Sequence, residues 1–476
     1  MNPEGTPVAG RPSRRGVLAS FAAGTGALAS AGTGVLASAG ARPAAASAPA
    51  SAASVASPAP GAMQLFEAAD LNFNALFALG SAGRHGGEVG EVLTAVNEIN
   101  AAGAGYQTFT DTFRALGDRL ARQADDAGTN GRAQTRRWLS LRAAQCYAQT
   151  LYFVLGTSGR AGEQAVYRSG RGCWDTFASL CEPAAVRATV PWGGARMPVW
   201  FFRPGSSDSS DCPRPTVILT NGSDGQNIDM WSYGVPAALE RGWNALVYDG
   251  PGQGQLLFVD EIPFSSRWES VIGPLIDWLY RRPEVDRTRI ALTGFSMGGN
   301  LAPRAAAFEH RLAALVAMPG CLRPWDAFPA DLRGIVSADK AKTNRIWNDD
   351  VVPQLSAVDR FTLQKRLEGF APDATRAARA GELLTDFWTP AQAVIALDIT
   401  AAAPRITAPT LVLDYEGEQF YAGQPGEMYG LLRAPKDYLR LTAAEGAQLH
   451  CSPMAPQRHC QVVFDWLEGV LDHPQR

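Results

Sequence analysis

The stretch Arg289-Ile-Ala-Leu-Thr-Gly-Phe-Ser-Met-Gly-Gly-Asn300 decides the fold, because an apolar run ends there at a serine set between glycines. The run before Gly294 predicts a buried strand, and the Ala-rich segment from Leu301 to Phe308 predicts a helix. A G-x-S-x-G turn between a strand and a helix presents the serine hydroxyl on a sharp, strained bend. Small flanking residues let neighbouring chains pass close to such a bend. Ser296 is therefore the predicted nucleophile.

The composition is that of a globular protein with two domains. The chain has 476 residues, of which 46% are hydrophobic and 19% are charged, and its formal net charge is -3. It carries no block of Lys and Arg that would mark a nucleic-acid-binding or anionic membrane surface. We therefore expect a small-molecule substrate, no nucleic-acid partner, no stable membrane insertion and no cofactor. The sequence leaves a homodimer open.

Residues 1–60 have the features of an export signal followed by a disordered linker. Ser13-Arg14-Arg15-Gly16-Val17-Leu18 precedes a weakly hydrophobic, Ala/Gly-rich run, and Ala-x-Ala sites follow near residues 44–48. This pattern predicts a twin-arginine signal and a secreted or extracytoplasmic protein. The alternative is a low-complexity tail, since Ala, Ser, Pro and Gly cannot bury a core. Gly, Ser and Thr interrupt the run throughout, which disfavours a transmembrane anchor.

Residues 61–187 are predicted to form an N-terminal helical domain, because apolar residues recur there at three- and four-residue spacing. Aromatic side chains in this region pack in its core or line a cleft against the second domain, where pockets are common. The candidates for substrate contact are Tyr147, Tyr167 and Trp174.

Strand and helix patterns alternate through residues 188–476, which predicts a mostly parallel central sheet. An antiparallel hairpin opens it, with one strand at Ala188 to Pro191 and the next at Pro198 to Arg203. Between about 322 and 397 the alternation breaks into helical patterns rich in aromatic residues, which predicts an inserted lid. Lids cover pockets, so Trp347 is a further candidate for substrate contact.

Two backbone N–H groups are predicted to form an oxyanion hole. The apolar strand Thr216 to Thr220 is followed by Asn221-Gly-Ser-Asp-Gly225. One N–H of the hole comes from the loop after the third strand, and the other comes from the residue after the nucleophile. These positions are Ser223 and Met297.

A carboxylate and a histidine must follow the nucleophile in the chain to complete a catalytic triad. The loop after the strand Pro409 to Leu413 offers Asp414, Glu416 and Glu418. Glu418 reaches furthest beyond the strand end and is our choice, with Glu416 as its rival. His450 lies in the loop after the last predicted strand and is the expected base. His459 is the weaker alternative, because it falls on the closing helix.

The chain contains seven cysteines, so at least one is unpaired. His450-Cys451 and His459-Cys460 are adjacent pairs, whereas zinc ligands usually stand two to four residues apart. Buried thiols and no metal site are therefore expected.

Several stretches together resemble α/β-hydrolases with an N-terminal helical domain, the group of 2,6-dihydroxypseudooxynicotine hydrolase and the fungal polyketide-shortening hydrolases. The stretches are Asn221-Gly-Ser-Asp-Gly225, Asp249-Gly-Pro-Gly-Gln-Gly254, Arg282-Pro-Glu-Val-Asp286, Gly294-Phe-Ser-Met-Gly-Gly299, Asp414-Tyr-Glu-Gly-Glu418 and Glu445-Gly-Ala…His450-Cys451. The resemblance implies an α/β-hydrolase fold, a Ser296, Glu418 and His450 triad, and a cleft between the helical domain and the core. The family more often has Asp where this chain has Glu418.

The resemblance implies hydrolysis of either an ester or a carbon–carbon bond beside a ketone. We expect an ester or related acyl bond, because that chemistry needs only the triad and the oxyanion hole. Carbon–carbon hydrolysis of an acyl-phenol or β-diketone is the alternative. A peptidase of the prolyl-oligopeptidase type is disfavoured, since the N-terminal helices cannot form its β-propeller. A catalytically inactive binding protein on the same fold is the remaining class.

Overall fold

The structure is a computed structural model and describes residues 64–205 and 212–472. The predicted twin-arginine signal lies outside the described residues. Among the helices described, none is long and apolar enough to cross a membrane.

Helices alone make up the described chain before the sheet begins. Their amphipathic patterns carry the packing: Phe109 and Phe113 of the third helix are fully buried, and the Phe109 ring lies 4.8 Å from that of Phe153 on the fourth. The helices are α1 (Ala69–Gly80), α2 (Val89–Ala102), α3 (Tyr106–Thr129), α4 (Ala133–Phe153) and α5 (Glu163–Ser179).

Eight strands among the described residues form one mostly parallel sheet, as predicted. In space they run in the order β1-β2-β4-β3-β5-β6-β7-β8, with β2 antiparallel to both β1 and β4 and the other pairs parallel. The strands are β1 (Val186–Trp192), β2 (Ala195–Phe202), β3 (Arg214–Thr220), β4 (Asn244–Tyr248), β5 (Val285–Phe295), β6 (Ala314–Met318), β7 (Thr410–Tyr415) and β8 (Lys436–Leu441).

Both faces of the sheet are covered, which explains why its central strands are apolar without alternation. Along β3, Ile218 packs into one core, while Val217 and Leu219 pack into the core on the opposite face. The helices between and after the strands are α6 (Asn227–Ser232), α7 (Val235–Glu240), α8 (Gly254–Phe258), α9 (Glu269–Leu279), α10 (Gly298–Ala306), α16 (Gln424–Leu431) and α17 (Pro456–Leu471).

A helical lid is inserted between β6 and β7. An ion pair joins the lid to the helical region: Arg379 donates to Glu163 of α5 at 2.7 Å. A second pair, between Lys365 and Glu368 at 2.5 Å, lies within the lid. All four of these side chains are largely withdrawn from solvent. The lid helices are α11 (Ala330–Ile335), α12 (Lys340–Ile346), α13 (Ala357–Leu367), α14 (Pro372–Ala380) and α15 (Trp388–Ile395).

Candidate active site

Ser296 occupies a strained turn between β5 and α10. Its φ angle is 58°, a left-handed conformation that non-glycine residues seldom adopt. The turn is possible because its neighbours lack side chains. A Cβ on Gly294 would overlap the carbonyl oxygen of Gly298, and a Cβ on Gly298 would lie 2.6 Å from the Thr220 carbonyl oxygen. The half-buried hydroxyl of Ser296 therefore sits at the carboxyl end of the sheet, where parallel strands form their sites.

Three side chains form a continuous hydrogen-bonded chain at this edge. The His450 Nε2 atom lies 2.9 Å from the Ser296 Oγ atom. On the other side of the ring, Nδ1 lies 2.8 Å and 2.9 Å from the two carboxylate oxygens of Glu418. The side chains of His450 and Glu418 are 4% and 2% exposed, so water hardly competes for these bonds. The structure thus brings together the nucleophile, acid and base that the sequence predicted.

The loop after β7, which carries Glu418 and is called the acid loop here, and the loop after β8, which carries His450, hold each other in place. The Gly417 N–H donates to the Gln448 carbonyl oxygen at 2.8 Å, and the His450 N–H donates to the Gln419 Oε1 atom at 3.2 Å. Directly after the histidine, Cys451 adopts a φ angle of 61°. These contacts set the imidazole between the serine and the carboxylate.

Charge at the site is arranged to support an imidazolium. Burial acts to raise the pKa of Glu418, but His450 and the N–H groups of Phe420 and Tyr421 outweigh it and hold that pKa below its ordinary value. Burial acts to lower the pKa of His450, whereas the Cys451 sulfur and the Glu418 carboxylate raise it above its ordinary value. A protonated His450 is therefore stabilised in its position between Ser296 and Glu418.

The rival candidates lie elsewhere. Glu416 is exposed and accepts from the Ala443 N–H at 2.7 Å, and Asp414 accepts from the Tyr438 hydroxyl at 2.5 Å. His459 is fully buried on α17, where its Nε2 atom lies 3.1 Å from the Met318 sulfur. Burial lowers the pKa of His459 to about 3, so this ring is neutral.

The loop after β3 passes directly beside Ser296. A Cβ on Gly222 would lie 2.7 Å from the Ser296 Cβ atom, so only glycine permits this approach. Within the described residues, the backbone N–H groups of Ser223 and Met297 have no hydrogen-bond acceptor. Both are therefore available to an oxygen atom bound next to Ser296.

Gln253 holds this loop, and the sequence did not assign it a role. Its Nε2 atom donates to the Asn221 and Gly222 carbonyl oxygens at 2.7 Å and 3.0 Å, and its Oε1 atom accepts from the Gly250 N–H. The signal was present in the Asp249-Gly-Pro-Gly-Gln-Gly254 stretch, whose glutamine is 5% exposed.

Aromatic residues from two parts of the chain surround His450. The Phe420 ring lies 4.8 Å and the Tyr421 ring 5.8 Å from the imidazole, both from the acid loop. Phe73 of α1 lies 6.4 Å from the imidazole and 6.0 Å from Phe420. Above Phe420, the Arg366 guanidinium of α13 lies 5.7 Å from the ring centroid. The helical region, the hydrolase core and the lid therefore all contribute to the walls of the site.

The four predicted substrate-contact residues do not lie at Ser296. Tyr147, Tyr167 and Trp174 line a separate cleft between α4, α5 and the start of α6. The Tyr147 hydroxyl bonds Asp118, and the Tyr167 hydroxyl donates to Asp249 at 3.0 Å. Among the described residues that line this cleft, none is Ser296, His450 or Glu418.

Trp347 is a correction to the sequence analysis. Its side chain is 0% exposed, stacks on Phe387 at 4.3 Å and donates to the Leu384 carbonyl oxygen. The ring fills the lid's own core, where a large aromatic residue buries the most surface. The sequence analysis did not name Phe73, Phe420 and Tyr421 beside the imidazole, or Arg366 over the Phe420 ring.

The described residues contain no group of three or more His, Cys, Asp and Glu side chains that could hold a metal. All seven cysteines are described and each is a free thiol; four of them are buried.

This sheet order, with a serine on a strained turn after its central strand and a histidine and carboxylate behind it, defines an α/β-hydrolase fold. Residues 217–463 match the Alpha/beta hydrolase family, and the chain belongs to that family.

Similar proteins include fungal hydrolases. The chain is 26% identical over 270 residues to the 20-hydroxy-prefusarin hydrolase FUS2 of Gibberella moniliformis, covering 56% of this chain and 63% of that protein. It is 28% identical over 283 residues to the hydrolase acrC of Aspergillus aculeatus, covering 55% of this chain and 64% of that protein. The matches thus span less than two thirds of these relatives.

Among solved structures, the fold is similar to that of 2,6-dihydroxy-pseudo-oxynicotine hydrolase, with a TM-score of 0.57 and 20% identity. The similarity covers 82% of this chain and 95% of the other, so it includes the N-terminal helical region.

Proposed function

We propose that the protein is a serine hydrolase that cleaves an ester or related acyl bond of a small molecule. The observation that carries the proposal is the buried hydrogen-bonded chain from Ser296 through His450 to Glu418, with distances of 2.8–2.9 Å. A serine hydroxyl becomes a useful nucleophile when a base accepts its proton, and a carboxylate behind the base stabilises the resulting imidazolium.

The reaction has two halves. His450 takes the Ser296 proton as Oγ attacks the substrate carbonyl carbon, and the oxyanion forms beside the N–H groups of Ser223 and Met297. His450 then gives its proton to the leaving oxygen, which departs and leaves an acyl-serine. Water, deprotonated by His450, attacks the acyl-serine, and His450 returns that proton to the Ser296 oxygen as the acid is released. Glu418 keeps the Nδ1–H tautomer throughout, so that Nε2 is free to accept a proton.

Carbon–carbon hydrolysis beside a ketone is the second candidate. A carbanion leaving group needs a donor to its carbonyl or ring; Tyr421 stands beside the imidazole, and Arg366 lies over the neighbouring Phe420. Two of the similar proteins are named as hydrolases of hydroxylated compounds, 20-hydroxy-prefusarin and 2,6-dihydroxy-pseudo-oxynicotine. Comparing a short aryl ester with an acyl-phenol or β-diketone separates the candidates. A hundredfold higher kcat/KM for the diketone would establish carbon–carbon cleavage.

We also propose that the enzyme acts outside the cytoplasm, because Arg14 and Arg15 directly precede a weakly hydrophobic run.

A fluorophosphonate probe tests the nucleophile. The intact protein should be labelled on Ser296, and Ser296→Ala should abolish labelling, whereas Ser452→Ala serves as a matched control. Ser452 is fully buried, two residues after the base, and donates to the Ala447 carbonyl oxygen. A folded wild-type protein that stays unlabelled would refute the proposal.

A further inference from the structure

Among the described residues, Arg366 differs from the other half-buried arginines of the lid in having no partner. Within residues 64–205 and 212–472, no hydrogen-bond acceptor or carboxylate contacts its half-buried guanidinium. The neighbouring Lys365 pairs with Glu368, Arg379 pairs with Glu163, and Arg360 of the same helix donates to the Val352 carbonyl oxygen at 2.9 Å. A partly desolvated cation without a counterion is unfavourable unless a ligand supplies one.

The position of Arg366 places this cation over the candidate active site. Its guanidinium lies between two rings, 5.7 Å from the centroid of Phe420 and 5.9 Å from that of Phe328. Phe420 in turn contacts the imidazole of His450, with 4.8 Å between ring centroids. A single aromatic ring therefore separates the guanidinium from the base.

The charges that act on Tyr421 agree with this position of Arg366. Burial raises the pKa of Tyr421, while the nearby positive charge of Arg366 acts to lower it. Asp224, beside the predicted oxyanion position, also influences Tyr421, and its carboxylate accepts from the Ser223 hydroxyl at 2.8 Å. Arg366 and Asp224 do not pair with each other, so the arginine remains available to a bound molecule.

We infer that Arg366 determines specificity by binding an anionic oxygen of the substrate, a carboxylate or an enolate or phenolate oxygen, at the end remote from Ser296. Guanidinium suits this role because its planar fork binds two oxygens at once and its flat faces stack on aromatic rings. The inference rests on the proposed function, and it assigns the substrate class of that same site: compounds that carry an acidic oxygen.

Two esters that differ in one negative charge and one methyl group test the inference: 4-nitrophenyl hydrogen glutarate, with a free carboxylate, and 4-nitrophenyl methyl glutarate. The wild type should show about a tenfold or higher kcat/KM for the acidic ester, and the preference should shrink with added NaCl. Arg366→Gln should reduce the ratio to about one, and Arg366→Lys should keep part of it. Arg360→Gln, the matched control on the same helix, should keep the wild-type ratio.

A wild-type ratio of one, or a ratio that survives Arg366→Gln, would overturn the inference. Calorimetric binding of 4-phenylbutanoate and 4-phenylbutanamide separates this inference from the proposed function. If neither ester is hydrolysed but Arg366→Gln weakens binding of the acid by about tenfold and leaves the amide unaffected, the hydrolase proposal fails and the anion site stands. Equal binding of the acid to both proteins would refute the anion site.

Discussion

Glu418→Gln should place a hydrogen-bond donor against the Nδ1 atom of His450. The Oε1 atom of Glu418 accepts the N–H groups of Phe420 and Tyr421, at 2.9 Å and 3.1 Å, so it must remain an acceptor. In the glutamine variant the amide oxygen therefore takes that position, and the NH₂ group takes the place of Oε2, 2.9 Å from the histidine Nδ1. An NH₂ group can only donate, so it favours the tautomer in which Nδ1 accepts and Nε2 carries the proton, and this tautomer competes with the one in which Nδ1–H donates to the amide oxygen 2.8 Å away.

The Nε2–H tautomer cannot accept the Ser296 proton, since Nε2 already holds a hydrogen at 2.9 Å from Oγ. The variant also loses the negative charge that stabilises the imidazolium. A triad with its acid made neutral but isosteric loses about 10⁴ in kcat, which corresponds to about 5 kcal/mol of activation free energy. We expect a loss of about 10³ to 10⁴, with the fold intact because the amide keeps the shape and both backbone bonds.

Glu416→Gln is the matched control. This side chain is exposed and accepts from the Ala443 N–H, which an amide oxygen can also do, so kcat should stay within about threefold. Both variants are assayed for release of 4-nitrophenol from a short ester, with circular dichroism melting curves to check folding. A severe loss in Glu416→Gln with a near-normal Glu418→Gln would show that the acid is misassigned.

Three further predictions concern the turn, the base and the N-terminus. Gly294→Ala should lower the free energy of unfolding in urea by about 1–3 kcal/mol, because the added Cβ would overlap a backbone carbonyl oxygen. Gly430→Ala is the control: its Cβ meets open space on a helix, so this change should be neutral or slightly stabilising. The neutral imidazole is the proposed base and the pKa of His450 is raised, so kcat/KM should increase with pH to a midpoint above the ordinary histidine pKa. Replacing the Glu418 carboxylate should move that midpoint to lower pH. A pH-independent kcat/KM would contradict this prediction. Changing Arg14 and Arg15 to Lys should retain the protein in the cytoplasm with unchanged purified activity, as measured by cell fractionation, and continued export would exclude the twin-arginine route.

The parts of the site that depend on local backbone chemistry could be predicted from the sequence. The turn at Ser296 needs glycines where it approaches neighbouring backbone closely, and the spacing of these glycines is visible in the sequence. The order of serine, acid and histidine along the chain then limits the candidates to a few residues. Glu418 was preferred over Glu416 because it stands further from the strand end, and the structure places only Glu418 against the imidazole.

The walls of the site could not be predicted, because a helical period identifies an apolar face but not the element that the face meets. Trp347 and Phe73 both occur in helical patterns, yet the first fills the lid core and the second lies beside His450. Arg366 follows Gln364 and Lys365 in a run that is typical of a solvated helix surface. Its position depends on how the lid folds over the acid loop, a contact between segments far apart in sequence.

The contact between Phe73 of α1 and the His450 ring has a consequence for how proteins of this architecture diversify. The groups proposed to carry out bond cleavage all lie after residue 220, whereas one wall of their chamber comes from a helix near residue 73. Mutations in that helix can reshape the chamber without disturbing Ser296, Glu418 or His450. Exchange of the N-terminal helices between relatives is thus a route to new selectivity at constant chemistry, and a library for engineering would begin in α1 rather than in the hydrolase core.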